Sequence, residues 1–174
     1  YDVSTLERLY TADHVRANAV LRALHEKVRD PRSMRALGFC VSVAHAEFMA
    51  REFTRIGLPS IAISSESTRD ERDDALRKLR DRDVNVLFAV DLFNEGVDVP
   101  QIDTVLFLRP TESATVFLQQ LGRGLRQFEG KSCLTVLDFI GNANQKFRFD
   151  LRYRALTQTS RASVLKQIED GFPF

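Results

Sequence analysis

Five short runs rich in apolar and β-branched residues, separated by stretches whose apolar residues recur on one helical face, constrain this chain more than any other feature. The runs are Ala36 to Val43, Ser60 to Ser64, Asn85 to Val90, Thr104 to Leu108 and Ser132 to Leu137. A strand with one face in water alternates polar and apolar residues. A strand that is apolar throughout is covered on both faces, the situation of a parallel sheet flanked by helices. The intervening segments supply those helices. Ala17, Val20, Leu21, Leu24 and Val28 fall at i, i+3, i+4, i+7 and i+11, with Asp13 placed to cap the start and Pro31 to stop the helix. Ala46, Met49, Ala50 and Phe53 form a second stripe, ended by Gly57 and Pro59. Thr68 and Glu71 form a T-x-x-E capping box opening a helix to about Arg82, supported by the i, i+4 pairs Asp73 with Arg77 and Asp74 with Lys78. A further helix is expected from about Ser113. The predicted fold is α/β, a doubly wound parallel sheet. Ligands on such sheets bind at the carboxyl ends of the strands, here the loops after Val43, Ser64, Val90 and Leu108.

The 174 residues suit one sizeable domain over 1–141, including an N-terminal helix at about 13–30. The Arg-rich tail over 142–174 reads as a helical appendage or the start of a following domain. The chain opens on Tyr1 rather than Met, which is read as a cut end with more chain upstream. No apolar run approaches the ~20 residues of a membrane span and no signal peptide is visible, so a cytoplasmic location is expected. Cys40 and Cys133 each sit in an apolar run and read as reduced core residues. No Cys/His cluster has metal-ligand spacing, so no structural metal is expected. Net charge is only +1, so any phosphate binding must come from local placement of Arg and Lys rather than from overall charge.

The segment from Pro110 to Gln127 carries the most chemistry. At about 100° per residue, Ala114, Phe117, Leu118, Leu121 and Leu125 form a core-facing stripe, and Gln119, Arg123 and Arg126 share the far side. Neither Arg has an acid at i−4, where Gln119 and Gly122 stand. Two glycines inside a helix cost about 1 kcal/mol each relative to Ala, which suggests close approach by something or a local break. Aligned guanidinium groups without acidic partners on their own helix suit a polyphosphate arriving from outside.

At these residues the chain resembles a known family. Gln119-Gln120-Leu121-Gly122-Arg123-Gly124-Leu125-Arg126 is similar to the Q-x-x-G-R-x-x-R motif of superfamily-two helicases. Ala89 to Pro100 resembles their G-[VI]-D-[VI]-P segment, Phe39 to Ala46 their motif IV, and Thr68 to Arg72 the segment after it. Order and spacing resemble the second RecA-like domain over about Ala36 to Asp138, nearest in flavour to restriction-type, repair-type or DEAD/DEAH-like translocases. In that family ATP and Mg2+ lie between two motor domains, and the second domain supplies arginine fingers.

The resemblance implies that Arg123 and Arg126 are the catalytic fingers, with Arg126 the principal one, and that Gln119 is a polar contact near the phosphates. It implies that Gly96 lets backbone approach the nucleotide cleft and that Asp98 binds the ribose hydroxyl or a cross-domain partner. Ser42, His45 and Arg72 would meet the nucleic-acid backbone. A simpler assignment makes Ser42 only a helix cap, His45 a solvated first-turn residue and Arg72 a partner of nearby acids.

Two departures bear on the strand contacts. Val90 stands where many relatives carry Thr or Ser, and Ser65-Glu66 where His-Gly is commoner. No G-x-x-x-x-G-K-[ST] loop and no D-E-x-[DH] run occurs in the chain. The expected function is therefore the second motor domain of an ATP-dependent nucleic-acid motor, with DNA favoured over RNA. Its partner would be an upstream RecA-like domain of the same protein, without which it hydrolyses no ATP. The alternative is a degenerate RecA-like module that binds nucleic acid or protein without ATPase coupling.

Overall fold

The computed structural model describes residues 14–90, 101–109 and 133–139. Its elements in chain order are α1 (His14–Lys27), β1 (Ala36–Phe39), α2 (Val43–Arg55), β2 (Ser60–Ile63), α3 (Arg69–Asp81), β3 (Val86–Ala89), β4 (Thr104–Phe107) and β5 (Thr135–Asp138). The five strands form one sheet in the order β2-β3-β1-β4-β5, with every neighbouring pair parallel. The doubly wound α/β expectation is met. The expected cap at Asp13, the helix from Ser113 and the tail over 142–174 lie outside the described residues.

Strand periodicity divides the core in two. Ala36, Val86, Phe88 and Leu106 face one side, where they pack with Ala17, Val20, Leu21 and Leu24 of α1 and with Ala46, Met49, Ala50 and Phe53 of α2. Leu37, Phe39, Leu87, Ala89, Val105 and Phe107 face the other side, against Ala75 and Leu79 of α3. Both faces of the central strands are covered, which is why their sequences are apolar at successive positions. Phe53 meets Phe88 edge-on with ring centroids 5.0 Å apart on the first face, and Phe39 stacks on Phe107 at 5.6 Å on the second.

Local chemistry explains the element ends. Gly57 takes φ +86°, a conformation that L side chains rarely adopt, so the chain can turn off α2 into β2. The capping box of α3 forms as expected: Thr68 Oγ1 accepts from the Glu71 N–H at 3.3 Å, and Glu71 Oε2 accepts from the Thr68 N–H at 2.7 Å. The Thr68 N–H, and after it the Thr68 hydroxyl at 3.0 Å, donate to Glu71 Oε2 and hold that carboxyl below the usual carboxylate range. On the exposed face of α3, Asp74 pairs with Lys78 at 2.7 Å as expected. The other expected pair is rearranged: Arg77 reaches Asp74 at 2.6 Å and Asp81 at 3.6 Å, and Asp73 lies 3.9 Å from Arg69.

At the amino edge, side chains tie the strands together. The Asp103 carboxylate accepts the Arg35 N–H at 3.1 and 3.2 Å, and the Asn85 amide donates to the carbonyl of Arg32 at 2.6 Å.

Two expectations are corrected. The first strand stops at Phe39 rather than Val43, because Ser42 starts the next helix. Cys133 is exposed, whereas Cys40 is buried and its burial pushes the thiol pKa up.

Candidate functional site

The parallel ladders continue one residue past the strands, bringing their carboxyl ends into line. Cys40 N–H donates to Ala89 O at 2.9 Å, Val90 N–H to Ile63 O at 3.1 Å, Leu108 N–H to Phe39 O at 3.0 Å and Phe139 N–H to Phe107 O at 2.9 Å. Two helices start from this edge, α2 after β1 and α3 after β2. Their first turns border one open cleft of about 260 Å³ lined by Val43, Ala46, Ile63, Ser64 and Ser67, with Glu47, Glu66 and Glu71 on its walls. Among the described residues, no Arg or Lys lines this cleft. The three acids among the described wall residues disfavour a phosphate beside them.

Ser42 is the N-cap of α2, in extended backbone with φ −148° and ψ 167°, and its Oγ accepts the His45 N–H at 3.2 Å. His45 departs from both placements considered for it, a surface contact or a solvated first-turn residue. Its side chain is only 1% exposed, and its Nδ1 accepts the Val41 N–H at 3.3 Å. A ring that accepts at Nδ1 in the neutral state carries its proton on Nε2. Burial, assisted by the Arg16 guanidinium, lowers its pKa to about 4, so the ring is neutral at pH 7. Arg72 is half-buried in the first turn of α3, and its N–H donates to Thr68 O at 3.1 Å.

Ser42 and His45 thus share one turn, and Arg72 belongs to the neighbouring helix start on the same cleft. Gly96, Asp98, Gln119, Arg123 and Arg126 lie outside the described residues.

Two contacts beyond sequence reasoning fasten α1 beside this site. Arg16 Nη2 donates to Phe139 O at 2.6 Å, anchoring α1 to the end of β5. Glu52, 8% exposed, is 2.9 Å from Arg55 and 3.3 Å from His14, and the Arg55 hydrogen bond holds its carboxyl below the usual range.

The buried imidazole has a measurable consequence. The folded His45 pKa lies below its unfolded value of 6.5, so unfolding takes up a proton at acid pH. Stability from this group is complete above pH 6.5 and falls as pH drops toward 4, by about 1.4 kcal/mol per pH unit and about 3 kcal/mol in all. His45→Asn keeps an acceptor near the Nδ1 position and does not titrate. Between pH 7 and 5 the natural chain should lose about 2 kcal/mol more urea-unfolding free energy than this variant. Parallel losses would show that the ring is not held neutral.

The helicase conserved C-terminal domain family matches residues 17–127, well over half of the chain. The chain belongs to this family. The helicase C-terminal domain is 30% identical over 142 residues to IRC3 of Saccharomyces cerevisiae, provisionally named an ATP-dependent helicase, covering 81% of this chain and 20% of that protein. It is 33% identical over 159 residues to UvrABC system protein B of Thermotoga petrophila, covering 82% of this chain and 23% of that protein. The chain therefore spans about a fifth to a quarter of these relatives. Among solved structures it is similar to the C-terminal domain of the DEAD-box protein Dbp5, with a TM-score of 0.67 at 16% identity, covering 85% of this chain and 82% of that one. That likeness speaks to the fold, which is RecA-like.

Proposed function

We propose that this domain is the second half of an ATP-dependent nucleic-acid motor, with DNA ahead of RNA as its track. In this assignment Arg126 and Arg123 reach the γ-phosphate of an ATP bound on an upstream RecA-like domain, with Gln119 near the phosphates. Gly96 and Asp98 border the nucleotide, while Ser42, the first turn of α2 and Arg72 meet strand phosphates. What carries the proposal is the family match through residue 127, which takes in the whole Gln119 to Arg126 motif.

The chemistry is a division of labour. Phosphoryl transfer is catalysed mainly by positioning and charge neutralisation, and an arginine finger contributes the latter without binding the nucleotide base. The phosphate loop absent from this sequence would belong to the partner domain. Mg2+ would likewise be held mainly by that domain. Contacts to strand phosphates carry no base information, which is what movement along a strand of arbitrary sequence requires.

The test compares ATP turnover by this chain alone with turnover by the full-length protein, each with single-stranded DNA, duplex DNA and RNA. The chain alone should give background turnover, and the full-length protein should be stimulated, more by DNA than by RNA. A full-length protein that binds nucleic acid without hydrolysing ATP would instead be a degenerate binding module.

A further inference from the structure

Two helices begin on the same cleft, and their first turns are closed by different chemistry. In α3 the reciprocal cap uses the carboxylate of Glu71, with Asp70 beside it, so acids occupy the positive end of the helix dipole. In α2 the return bond is made by an imidazole, and it goes to the residue before the cap. Ser42 Oγ accepts the His45 N–H at 3.2 Å, and His45 Nδ1 accepts the Val41 N–H at 3.3 Å. A carboxylate three residues after the cap would favour this helix start electrostatically. His45 performs the bonding without the charge, and it does so from inside the core at 1% exposure. The first turn of α2, Val43 to His45, contains no acid.

We propose that His45 is a positioning residue: it locks the Val41–Ser42 turn from within so that Ser42 and the α2 first turn present a rigid, acid-free end to a strand phosphate. This rests on the assignment of that turn as a strand contact under Proposed function. A glutamate at 45 could cap the turn and would repel the phosphate; an apolar residue would leave the Val41 N–H without its acceptor. The acids bordering the adjoining cleft do not replace one in this turn. Glu47 lies 3.8 Å from Arg51, Glu71 is engaged by Thr68, and Glu66 stands in the turn before α3.

The experiment uses the full-length protein and labelled single-stranded DNA. It reads direct binding, the DNA concentration giving half-maximal ATPase stimulation, and the turnover at saturating DNA. His45→Leu should raise the half-maximal concentration at least fivefold while turnover at saturation stays within about twofold, and His45→Asn should restore the concentration to within about twofold of the natural protein. If the Leu variant fails to fold, His45→Gln replaces it, because its acceptor falls near Nε2 rather than Nδ1. In a separate pair, Ala44→Glu places an acid on the exposed first turn. It should raise the melting temperature by about 1–4 °C yet bind DNA at least fivefold more weakly than Ala44→Gln, a gap that narrows with added salt.

If the Ala44 variants bind alike, no phosphate meets this turn and the strand-contact assignment itself is overturned. If they separate but His45→Leu or His45→Gln behaves as His45→Asn does, the turn meets DNA and the positioning role of His45 is overturned.

Discussion

Replacing Arg126 by alanine in the full-length protein is expected to lower nucleic-acid-stimulated ATP turnover by about 10³-fold or more, within the 10³–10⁵ range of an arginine finger. The loss should fall on kcat rather than on the Michaelis constant for ATP, because charge on the transferring phosphoryl group is neutralised chiefly in the transition state. Affinity for nucleic acid should stay within a few-fold, since the strand phosphates are assigned to Ser42, the first turn of α2 and Arg72. Arg126→Lys should recover little, because an ammonium cannot reproduce a planar, two-pronged contact. Normal turnover in the alanine variant, measured at saturating ATP and nucleic acid, would remove the finger assignment.

The second large effect is on stability. Gly38 occupies the middle of β1, directly across from Phe88 on β3. A Cβ placed on Gly38 would lie 2.6 and 2.8 Å from two carbons of the Phe88 ring. That ring has little room to yield: it is fully buried and held edge-on against Phe53 at 5.0 Å. Gly38→Ala should therefore destabilise the domain by about 1–3 kcal/mol, even though alanine ordinarily gains about 0.5–1 kcal/mol over glycine within a strand. Phe88→Leu removes the ring carbons that meet the new methyl. In urea unfolding, the double variant should lose clearly less than the sum of the two single losses. Additive losses would show that the steric conflict lies elsewhere.

The fold was legible because its determinants are local and repetitive. Apolar strands, helical stripes, the Thr68–Glu71 box and the Gly57 stop each act within a few residues, and each element they predicted among the described residues is present. Boundaries were less legible. The run from Ala36 to Val43 is apolar apart from Gly38 and Ser42, and only the preference of Ser for a helix cap marks where the strand gives way.

The site was read unevenly for the same reason. Ser42 was legible as a helix cap, because Ser at the end of an apolar run favours that place, and a capping hydroxyl can still donate to a phosphate as proposed above. His45 was misplaced because a polar residue in a first turn looks solvated. Yet it stands four residues before Met49 and eight before Phe53, on the buried stripe, and that spacing was the available signal. Glu52 lies on the same side and is buried, while its partners Arg55 and His14 reach it from the exposed surface. The Arg16 contact with Phe139 spans 123 positions and leaves no trace in local pattern. Cys133 sits in an apolar run two residues before β5, the last strand in the sheet order, where apolar composition did not ensure burial.

The central claim is that a guanidinium of this domain completes an ATP site built on another. Its most direct measurement is a structure of the full-length protein with single-stranded DNA, ADP, Mg2+ and aluminium fluoride standing in for the transferring phosphoryl group. Arg126 should donate to the fluoride at about 2.7–2.9 Å, with Arg123 alongside and Ser42 facing a strand phosphate. An Arg126 paired with an acid of its own domain, or turned away from the nucleotide, would contradict the claim.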